Sequence, residues 1–435
     1  MRKRLIVIGA GMATGRVLER LFEAGDDYDV TLFNAEPRGN YDRIMLSPVL
    51  AGEKLFEDIV THDSGWYESH GVTCRFGEKV VQIDRVAKTV TAENGDLLSY
   101  DKLLFGTGSN PFMIPLPGHE LDGVIAYRDF EDTERMMAMS EGSKCVVIGG
   151  GLLGLEAAAG MAARGVDVTV VHLMGHLMER QLDEAAGYLL RKALVDKGIT
   201  VICQANSKEI LGEDGKVRAL LLDDGTELPC DLLVMAVGIR PNVALAQNAE
   251  LRVGRGLVVN DQMVTSDPDI LAVGECVEHR GVLFGLVAPL YDQAEVVART
   301  LLGLDAVFEQ RELSTKLKVT GCDLFSAGDF ADGEGRESIV FRDPSRGIYR
   351  RLVIEGTRVV GAVMYGDTSD SGWFYGLIKS NADIAEMRDT LIFGPSYQGV
   401  TPPDPFPAVA ASLLKSSSAG GNGLIKNENL ERRAA

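Results

Sequence analysis

Two glycine-rich turns are the part of this sequence whose residue types and spacing point most directly to chemistry. In such a turn the first glycine permits a tight bend, and the second lets the backbone approach a pyrophosphate at the N-terminus of the following helix. We therefore expect both turns to bind the phosphates of a nucleotide. The first turn is Gly9-Ala10-Gly11-Met12-Ala13-Thr14, and the second is Gly149-Gly150-Gly151-Leu152-Leu153-Gly154.

The first turn departs from the usual pattern at its third glycine position, where Thr14 stands and a glycine follows one residue later. An acidic residue that binds a ribose hydroxyl is expected about 20 residues further on. Glu36 lies 22 residues after Thr14 and fits that role. The residues predicted to contact this first nucleotide are Gly9, Gly11, Met12, Ala13 and Glu36.

The second turn has all three glycines, but the strand after its helix ends in Val171-His172-Leu173-Met174, without a carboxylate. His172 could lie beside a 2′-phosphate or an unmodified ribose, or it could be an ordinary strand-end histidine exposed to solvent. The sequence therefore leaves NADH and NADPH both open. The residues predicted to contact this second nucleotide are Gly149, Gly151, Leu153, Gly154, His172 and Gly238.

Each turn belongs to a unit with a buried strand, the turn, an amphipathic helix and a second strand. The units start at Arg4 and Lys144, and their second strands are predicted at Val30–Phe33 and Val168–Val171. Apolar runs of this kind are typical of a parallel sheet covered on both faces. The predicted fold class is therefore α/β with two Rossmann-like dinucleotide-binding domains, which suggests a tightly held FAD and an NAD(P)H that binds transiently.

We expect the first dinucleotide domain to be interrupted by the second. A meander of strands at Val80–Asp84, Thr89–Thr91 and Leu103–Phe105 is predicted to close the first sheet. The predicted domains are 1–118 with 243–309 for FAD, 119–242 for NAD(P)H, 310–411 for a C-terminal α+β domain, and 412–435 for a mobile tail rich in Ser, Gly and Asn.

Three further segments are suited to hold the flavin end of FAD. Small residues after an apolar strand, Thr107 and Gly108, would let the backbone approach a flat ring. Another strand ends in Glu275, a carboxylate that could hold a ribityl hydroxyl. A helix is predicted over Leu286–Ala294, and its positive N-terminus near Pro289 could face flavin N1 and C2=O. With these segments, the chain resembles the FAD-dependent pyridine-nucleotide reductases of the two-dinucleotide-domain type.

Charge and cysteine content exclude other classes. The 435 residues carry 63 Asp+Glu against 44 Lys+Arg, a formal net charge of −19, which argues against nucleic acid or an anionic membrane as a partner. The six cysteines lie far apart along the chain, so no local pair predicts a disulfide reductase, a zinc site or an iron–sulfur cluster. Single cysteines on apolar stretches, and an N-terminus without a signal-peptide pattern, predict a cytoplasmic protein.

A sharper resemblance rests on longer segments and covers roughly residues 4 to 399. These segments closely resemble the N-terminal flavin module of the NAD(P)H-dependent assimilatory nitrite reductase large subunit. By this resemblance Arg43 contacts the FAD pyrophosphate and Glu156 faces the nicotinamide, whereas Pro48 stands where related reductases have Lys. The segments are NYDRIMLSPVLAGE, HLMERQLD, AVGECVEHRG, GLVAPLYDQA and RDTLIFG.

The resemblance implies that electrons pass from NAD(P)H through FAD to a partner carrying iron–sulfur or sirohaem centres, in nitrite or nitrate assimilation. Because hydride transfer to flavin needs stacking and orientation, no catalytic side chain and no metal ligand is predicted. A rubredoxin- or ferredoxin-type reductase of another pathway stays open, as does a flavin-bound signalling protein without turnover. Open as well are the electron acceptor, a homodimer formed through the C-terminal domain, and whether the chain is a separate subunit or a truncated large subunit.

Overall fold

The computed structural model describes residues 2–25, 27–310, 315–319 and 321–398. The predicted tail at 412–435 and the last part of the predicted C-terminal domain, 399–411, lie outside these residues. The chain divides into two compact units, one ending at Ser326 and the other beginning at Ala327. Among the described residues, no helix combines the length and the apolar character needed to cross a bilayer.

The strands, numbered in chain order, are β1 (Lys3–Ile8), β2 (Tyr28–Asn34), β3 (Thr73–Phe76), β4 (Val80–Asp84), β5 (Thr89–Ala92), β6 (Leu97–Ser99), β7 (Lys102–Phe105), β8 (Ser109–Pro111), β9 (Val124–Ala126), β10 (Lys144–Ile148), β11 (Asp167–Val171), β12 (Thr200–Ile202), β13 (Ser207–Glu213), β14 (Lys216–Leu222), β15 (Glu227–Pro229), β16 (Leu232–Met235), β17 (Ile239–Pro241), β18 (Leu257–Val259), β19 (Ile270–Ala272), β20 (Val277–His279), β21 (Val282–Leu283), β22 (Thr315–Val319), β23 (Cys322–Gly328), β24 (Arg336–Asp343), β25 (Ile348–Glu355) and β26 (Arg358–Tyr365).

The α-helices are α1 (Met12–Ala24), α2 (Leu46–Leu50), α3 (Ser64–Ser69), α4 (Phe130–Met137), α5 (Leu152–Ala163), α6 (Glu184–Val195), α7 (Ala244–Asn248), α8 (Val287–Leu301) and α9 (Ser371–Ser380). Short 3₁₀ turns cover Arg43–Met45, Glu57–Ile59, Ala385–Met387, Leu391–Phe393 and Pro395–Gln398.

The first parallel sheet has the strand order β19-β7-β1-β2-β3. In its centre Val7 pairs with Leu32 on one side and Leu104 on the other, and all three side chains are fully buried. Burial on both faces explains why these strands are continuous apolar runs. Because β19 comes about 165 residues after β7 in the chain, this sheet is discontinuous in sequence, as predicted.

The second parallel sheet has the order β12-β11-β10-β16-β9 and repeats the arrangement around its own glycine turn. Strand β10 lies between β11 and β16, with Ile148 paired to Val171 and Met235. In both sheets, therefore, the strand that precedes the glycine turn is central. This repeat confirms the predicted α/β class with two Rossmann-like domains.

The prediction that the meander closes the first sheet is confirmed for Leu103–Phe105 and wrong for its other two strands. Strands β4, β5 and β6 form a separate three-stranded antiparallel sheet, and only β7 joins the parallel sheet, beside β1. The reason is visible in burial: β7 is buried along most of its length, whereas β4 and β6 are largely exposed. Short turns hold β4 to β6 together as a local meander.

The C-terminal part contains a five-stranded sheet of order β22-β23-β26-β25-β24. The division between the two compact units falls inside β23. In the second unit, the side chain of Arg350 is 8% exposed and forms ion pairs with Asp367 at 2.6 Å and Asp370 at 2.8 Å. Its antiparallel strands and helix α9 agree with the predicted α+β character.

Candidate functional site

The first glycine turn connects β1 to α1 and leaves the helix N-terminus open. Gly9 has φ +103°, and a Cβ atom there would overlap the Gly106 carbonyl, so only glycine fits. A Cβ on Gly11 would meet no atom within 4 Å. No side chain caps α1, and its first turn has no acidic residue. The free N–H groups of this turn therefore face open space, which suits an anionic phosphate group.

Thr14, where the glycine pattern is broken, is fully buried. Its hydroxyl oxygen lies 2.8 Å from the carbonyl oxygens of both Gly9 and Gly11, which share its one proton. Its methyl group fills the space that a Cβ on Gly106 would need. In the second turn the small residue is on the helix and the larger one faces it, since Gly154 there faces Ala236. The larger residue thus moves from the helix to the facing strand end, and the close helix–strand packing is kept.

Glu36 and Arg43 form an ion pair after β2. Glu36 Oε1 accepts from the Arg43 guanidinium, and Glu36 Oε2 accepts from the Tyr41 hydroxyl at 2.8 Å. Arg43 also donates to the carbonyl of Arg128 at 3.2 Å. The structure thus brings together two residues that were predicted to contact different parts of FAD. Tyr41 adds a phenol, and burial raises its pKa well above the usual range.

A second polar cluster surrounds Glu275, just after β19. Glu275 Oε2 accepts from the hydroxyl of Ser109 and from the guanidinium of Arg128, both at 2.6 Å. Gly108, with φ +64°, lies against the same guanidinium, since a Cβ there would be 3.6 Å from Arg128 Nη2. Thr107 is held by its hydroxyl, which donates to the Asn242 carbonyl at 2.7 Å. Gly108 and Glu275 therefore lie beside the same guanidinium, and Thr107 precedes Gly108 in the chain. Their contact with a flavin stays a prediction.

A buried amide without a full set of partners lies beside the first helix N-terminus. Gln293, on α8, is completely buried and accepts from the Gly274 N–H at 2.9 Å. Its Nε2 is buried without a hydrogen-bond partner among the described residues. A Cβ on Gly274 would lie 3.6 Å from the Cβ of Ala13, which places this amide near the first glycine turn. Pro289 is buried in the first turn of the same helix, which starts without a side-chain cap.

The second glycine turn repeats the open arrangement at α5. Gly149 has φ +125°, a Cβ on Gly151 would meet nothing within 4 Å, and no side chain caps the helix. Leu153, in the first turn of α5, is 41% exposed. Gly238, with φ +118°, also has open space around it. These residues present an exposed, uncapped helix N-terminus of the same kind as the first.

His172 is not exposed to solvent, contrary to one of the interpretations of the sequence. The residue is 7% exposed, and its ring lies under Gly150, where a Cβ would come within 2.6 Å of His172 Cγ. Nδ1 accepts from the Gly150 N–H at 3.1 Å, and Nε2 lies 3.1 Å from Glu179 Oε2. The glycine at 150 is thus required by the imidazole packed beneath it.

Glu156, on α5, points toward the first nucleotide-binding half of the chain. Its Oε2 accepts from the Ser47 hydroxyl at 2.7 Å, and the same hydroxyl lies 3.1 Å from the phenol oxygen of Tyr127. Burial raises the pKa of Glu156, and the Ser47 hydrogen bond opposes that rise. Burial also raises the pKa of Tyr127. Glu156 is therefore not the freely solvated carboxylate that an exposed helix position would give.

The cysteines contribute no redox pair. All six are free, and burial raises the pKa of five of them, to about 11 for Cys74 and about 12 for Cys230, for example. Such thiols stay protonated and unreactive near neutral pH. In the part of the chain that the structure describes, no group of three or more His, Cys, Asp or Glu side chains could hold a metal ion.

Several polar residues of these clusters were not predicted from the sequence. Arg128, Ser109 and Tyr127 join segments far apart in the chain, and nothing local in the sequence signals them. Glu179 lies in the quoted segment HLMERQLD, but its distance in sequence from His172 gives no sign of their contact. The missed residues are Tyr41, Ser47, Ser109, Tyr127, Arg128, Glu179 and Gln293.

Comparison with known proteins identifies the two parts of the chain. The model of the pyridine nucleotide-disulphide oxidoreductase family matches residues 3–296. The model of the rubredoxin NAD+ reductase C-terminal domain matches residues 314–382. The ferredoxin reductase structure from Rhodopseudomonas palustris superimposes with a TM-score of 0.80 at 24% identity, covering 92% of this chain and 100% of that one.

Two proteins of Bacillus subtilis (strain 168) are more similar in sequence. Nitrite reductase [NAD(P)H] is 45% identical over 400 residues, which cover 91% of this chain and 50% of that protein. The assimilatory nitrate reductase electron transfer subunit is 39% identical over 394 residues, 90% of this chain and 51% of that protein. The chain thus spans about half the length of these relatives. It belongs to the pyridine nucleotide-disulphide oxidoreductase family, the FAD-containing oxidoreductases that use NAD(P)H.

Proposed function

We propose that this chain takes electrons from NAD(P)H onto FAD and passes them to a partner redox protein in nitrite or nitrate assimilation. The observation that carries this proposal is the presence of two uncapped helix N-termini at glycine turns, α1 and α5, in two parallel sheets of one compact unit. One such terminus would serve a single dinucleotide. Two of them suit a flavin dinucleotide and a nicotinamide dinucleotide.

FAD is proposed to lie along the first sheet. The N–H groups around Gly11 would hold its pyrophosphate together with Arg43, and Glu36 would accept from the adenosine ribose. Two observations support this placement. There is open space at Gly11 beside the helix N-terminus, and Gln293 Nε2 has no hydrogen-bond partner among the described residues. The residues proposed to contact FAD are Gly9, Gly11, Met12, Ala13, Glu36, Arg43, Thr107, Gly108, Glu275 and Pro289.

NAD(P)H is proposed to bind at the second glycine turn, with its pyrophosphate on the N-terminus of α5. The residues proposed to contact it are Gly149, Gly151, Leu153, Gly154, Glu156, His172 and Gly238. Bound FAD supplies the redox chemistry, because it accepts a hydride from the nicotinamide and releases electrons to an acceptor. The protein's own contribution is to hold the nicotinamide ring stacked against the flavin ring and to exclude water.

The contact between Ser47 and Glu156 supports this arrangement. Ser47 belongs to α2 in the predicted FAD domain, and Glu156 to α5 in the predicted NAD(P)H domain. Their hydrogen bond at 2.7 Å therefore ties the two nucleotide-binding halves at one point. We propose that this point borders the place where nicotinamide and flavin meet.

The proposed partner carries iron–sulfur or sirohaem centres. Support comes from the two Bacillus subtilis relatives, a nitrite reductase and an electron transfer subunit of nitrate reductase, which are about twice as long as the matched region. The proposed domains stay as the sequence suggests, 1–118 with 243–309, 119–242 and 310–411. The third of these is proposed to dock the partner or a second copy of the chain.

The proposal is tested in two stages with the FAD-loaded chain. The first measures flavin reduction by NADH and by NADPH in an anaerobic stopped-flow instrument. We expect at least one of them to bleach the flavin within seconds, and a flavin that stays oxidised with both would refute the proposal. The second stage adds a sirohaem nitrite reductase module and measures NADH-driven loss of nitrite, which we expect only with both proteins present.

A rubredoxin reductase is the second candidate, because residues 314–382 match the rubredoxin NAD+ reductase C-terminal domain. The same anaerobic assay with rubredoxin as acceptor separates the two candidates. Reduction of rubredoxin at a rate equal to flavin reduction, together with no transfer to the nitrite reductase module, would favour the second.

A further inference from the structure

The loop that follows β11 is fastened to the second glycine turn by backbone and side-chain contacts. The Met178 N–H donates to the Gly150 carbonyl at 2.9 Å, and Met178 adopts φ +53°, an unusual conformation for a residue other than glycine. Leu177 and Met178 are buried, and the Gln204 N–H donates to the Met174 carbonyl at 3.0 Å. The loop is therefore fixed in place at the end of the strand.

This loop brings a carboxylate to the strand end, where the sequence alone suggests none. The backbone N–H of Gly150 can only donate, so His172 Nδ1 must accept and carries no proton. The ring proton is then on Nε2, which donates to Glu179 Oε2. The imidazole is consequently neutral in this arrangement, and the negative charge of Glu179 is not cancelled by it.

Glu179 keeps an acceptor available for a ligand. Its side chain is 29% exposed, and among the described residues no hydrogen bond to its Oε1 is present. In βαβ units of this type, the end of the second strand is where the adenosine ribose of a dinucleotide lies, and a carboxylate there binds the 2′-hydroxyl. Glu179 thus offers one oxygen to the ribose while the other is held by His172.

We propose that Glu179 accepts the ribose 2′-hydroxyl of the nicotinamide dinucleotide and makes the protein specific for NADH over NADPH, with His172 as the residue that positions it. The proposal rests on the proposed function, because it assigns the ribose site of the same nucleotide. It decides between NADH and NADPH, a choice that the residue types at the strand end leave open.

The negative charge of Glu179 predicts which of the two nucleotides binds more tightly. A 2′-phosphate carries close to two negative charges and would have to lie against a carboxylate that no neighbouring imidazolium neutralises. Like charges brought together across an interface cost several kcal/mol. Arg180, the next residue, is exposed and is the cation nearest in sequence that could compensate, so it must be part of the test.

The first experiment measures binding without hydride transfer. Titration calorimetry with the FAD-loaded protein would compare ADP-ribose with 2′-phospho-ADP-ribose. We expect ADP-ribose to bind at least about 100-fold more tightly. In Glu179→Gln the preference should fall by about 10-fold or more, because the amide removes the charge but keeps the size. Tighter binding of the phosphorylated probe to the unaltered protein would overturn the proposal.

Two further variants separate specific from general effects. Glu213→Gln removes the same charge from an exposed position at the end of β13 and should leave the preference unchanged. Arg180→Ala should also leave it unchanged. If Arg180→Ala instead weakens the phosphorylated probe selectively while Glu179→Gln has no effect, the assignment of Glu179 is wrong.

The role of His172 requires a kinetic readout. His172→Phe keeps a ring under Gly150 but cannot hold Glu179, so we expect the KM for NADH to rise about 10-fold with kcat changed less than about threefold. His172→Gln, which can still bond Glu179, should recover part of the loss. A fall in kcat and FAD content in place of the KM change would show a merely structural role and would contradict the positioning role. A failure of the proposed function is distinguishable, since the flavin would then stay oxidised with both nucleotides while the calorimetric preference could still be measured.

Discussion

Glu156 combines burial, a raised pKa and a hydrogen bond from Ser47 at 2.7 Å. A carboxyl whose pKa is higher in the folded than in the unfolded chain binds more protons when folded. Its stabilising contribution is therefore complete below the unfolded pKa and is lost as the pH rises through the folded pKa. Each unit of such a difference corresponds to about 1.4 kcal/mol. A charged Glu156 should accordingly cost stability in the alkaline range.

Glu156→Gln tests this directly, because the amide oxygen can still accept from Ser47. We expect its melting temperature to equal that of the unaltered protein near pH 4 and to exceed it by about 1–3 °C near pH 8. Differential scanning calorimetry at several pH values, with the FAD content matched, makes the comparison. A variant that is less stable at pH 8 would show that a bound cation or another donor stabilises the charged carboxylate.

Glu275 is the second residue whose contacts make a prediction. Its Oε2 holds both Ser109 and Arg128 at 2.6 Å, so Glu275→Gln would leave Arg128 without its carboxylate. Charge-assisted hydrogen bonds of this kind contribute about 1.5–3 kcal/mol. We expect the dissociation constant for FAD to rise about 10-fold, measured by fluorescence of released flavin. Glu120→Gln, which removes one exposed carboxylate elsewhere, should leave FAD binding unchanged.

The residues of the glycine turns could be predicted from the sequence, because a tight turn and close backbone approach admit only glycine at Gly9 and Gly149. The polar clusters could not be predicted from the sequence. Ser109, Arg128 and Glu275 are up to 166 residues apart in the chain, and only the folded sheets bring them together. Glu179 was not predicted because a ribose-binding carboxylate is expected at the strand end itself. Glu179 instead belongs to the loop after β11, which folds back toward the strand end.

The two βαβ units pack the helix closely against the strand end with the larger residue on opposite sides of the contact. The first has Thr14 on the helix and Gly106 on the facing strand end, and the second has Gly154 and Ala236. A Cβ on Gly106 would overlap the Thr14 methyl group. The two positions should therefore be energetically coupled, although they lie on different elements.

A double-mutant cycle measures this coupling. Gly106→Ala alone should lower the free energy of unfolding by about 1–3 kcal/mol through overpacking. Thr14→Gly alone should also destabilise, because it removes the hydroxyl proton that the carbonyls of Gly9 and Gly11 share. The double variant should be more stable than the sum of the two by about 1 kcal/mol or more, since it reproduces the pairing of the second unit. If denaturant unfolding shows that the effects of the two single variants simply add, positions 14 and 106 are not coupled and this interpretation is wrong.

The periodicity of the sequence predicted several strands correctly but not every pairing. The runs at Val30–Phe33 and Val168–Val171 are strands as expected, within β2 and β11. The meander was misassigned because an alternating pattern identifies a strand without identifying its partner. Strand β7 follows β6 after only two residues, yet it leaves the meander for the buried centre of the parallel sheet, where its apolar residues are covered on both faces.

The two sheets with open helix N-termini fit the electron path that we propose for this protein. Electrons should enter from a nicotinamide at the second sheet, pass to FAD at the first and leave to a partner. We propose FAD as the redox centre that this chain contributes.

Anaerobic titration of the FAD-loaded chain with NADH tests this account most directly. The flavin absorbance at about 450 nm should fall linearly and reach its endpoint at about one NADH per flavin, because one hydride carries the two electrons that FAD accepts. An endpoint well above one equivalent would reveal a further redox centre in the chain. Either that result, or a flavin that stays oxidised with NADH and also with NADPH, would contradict the account.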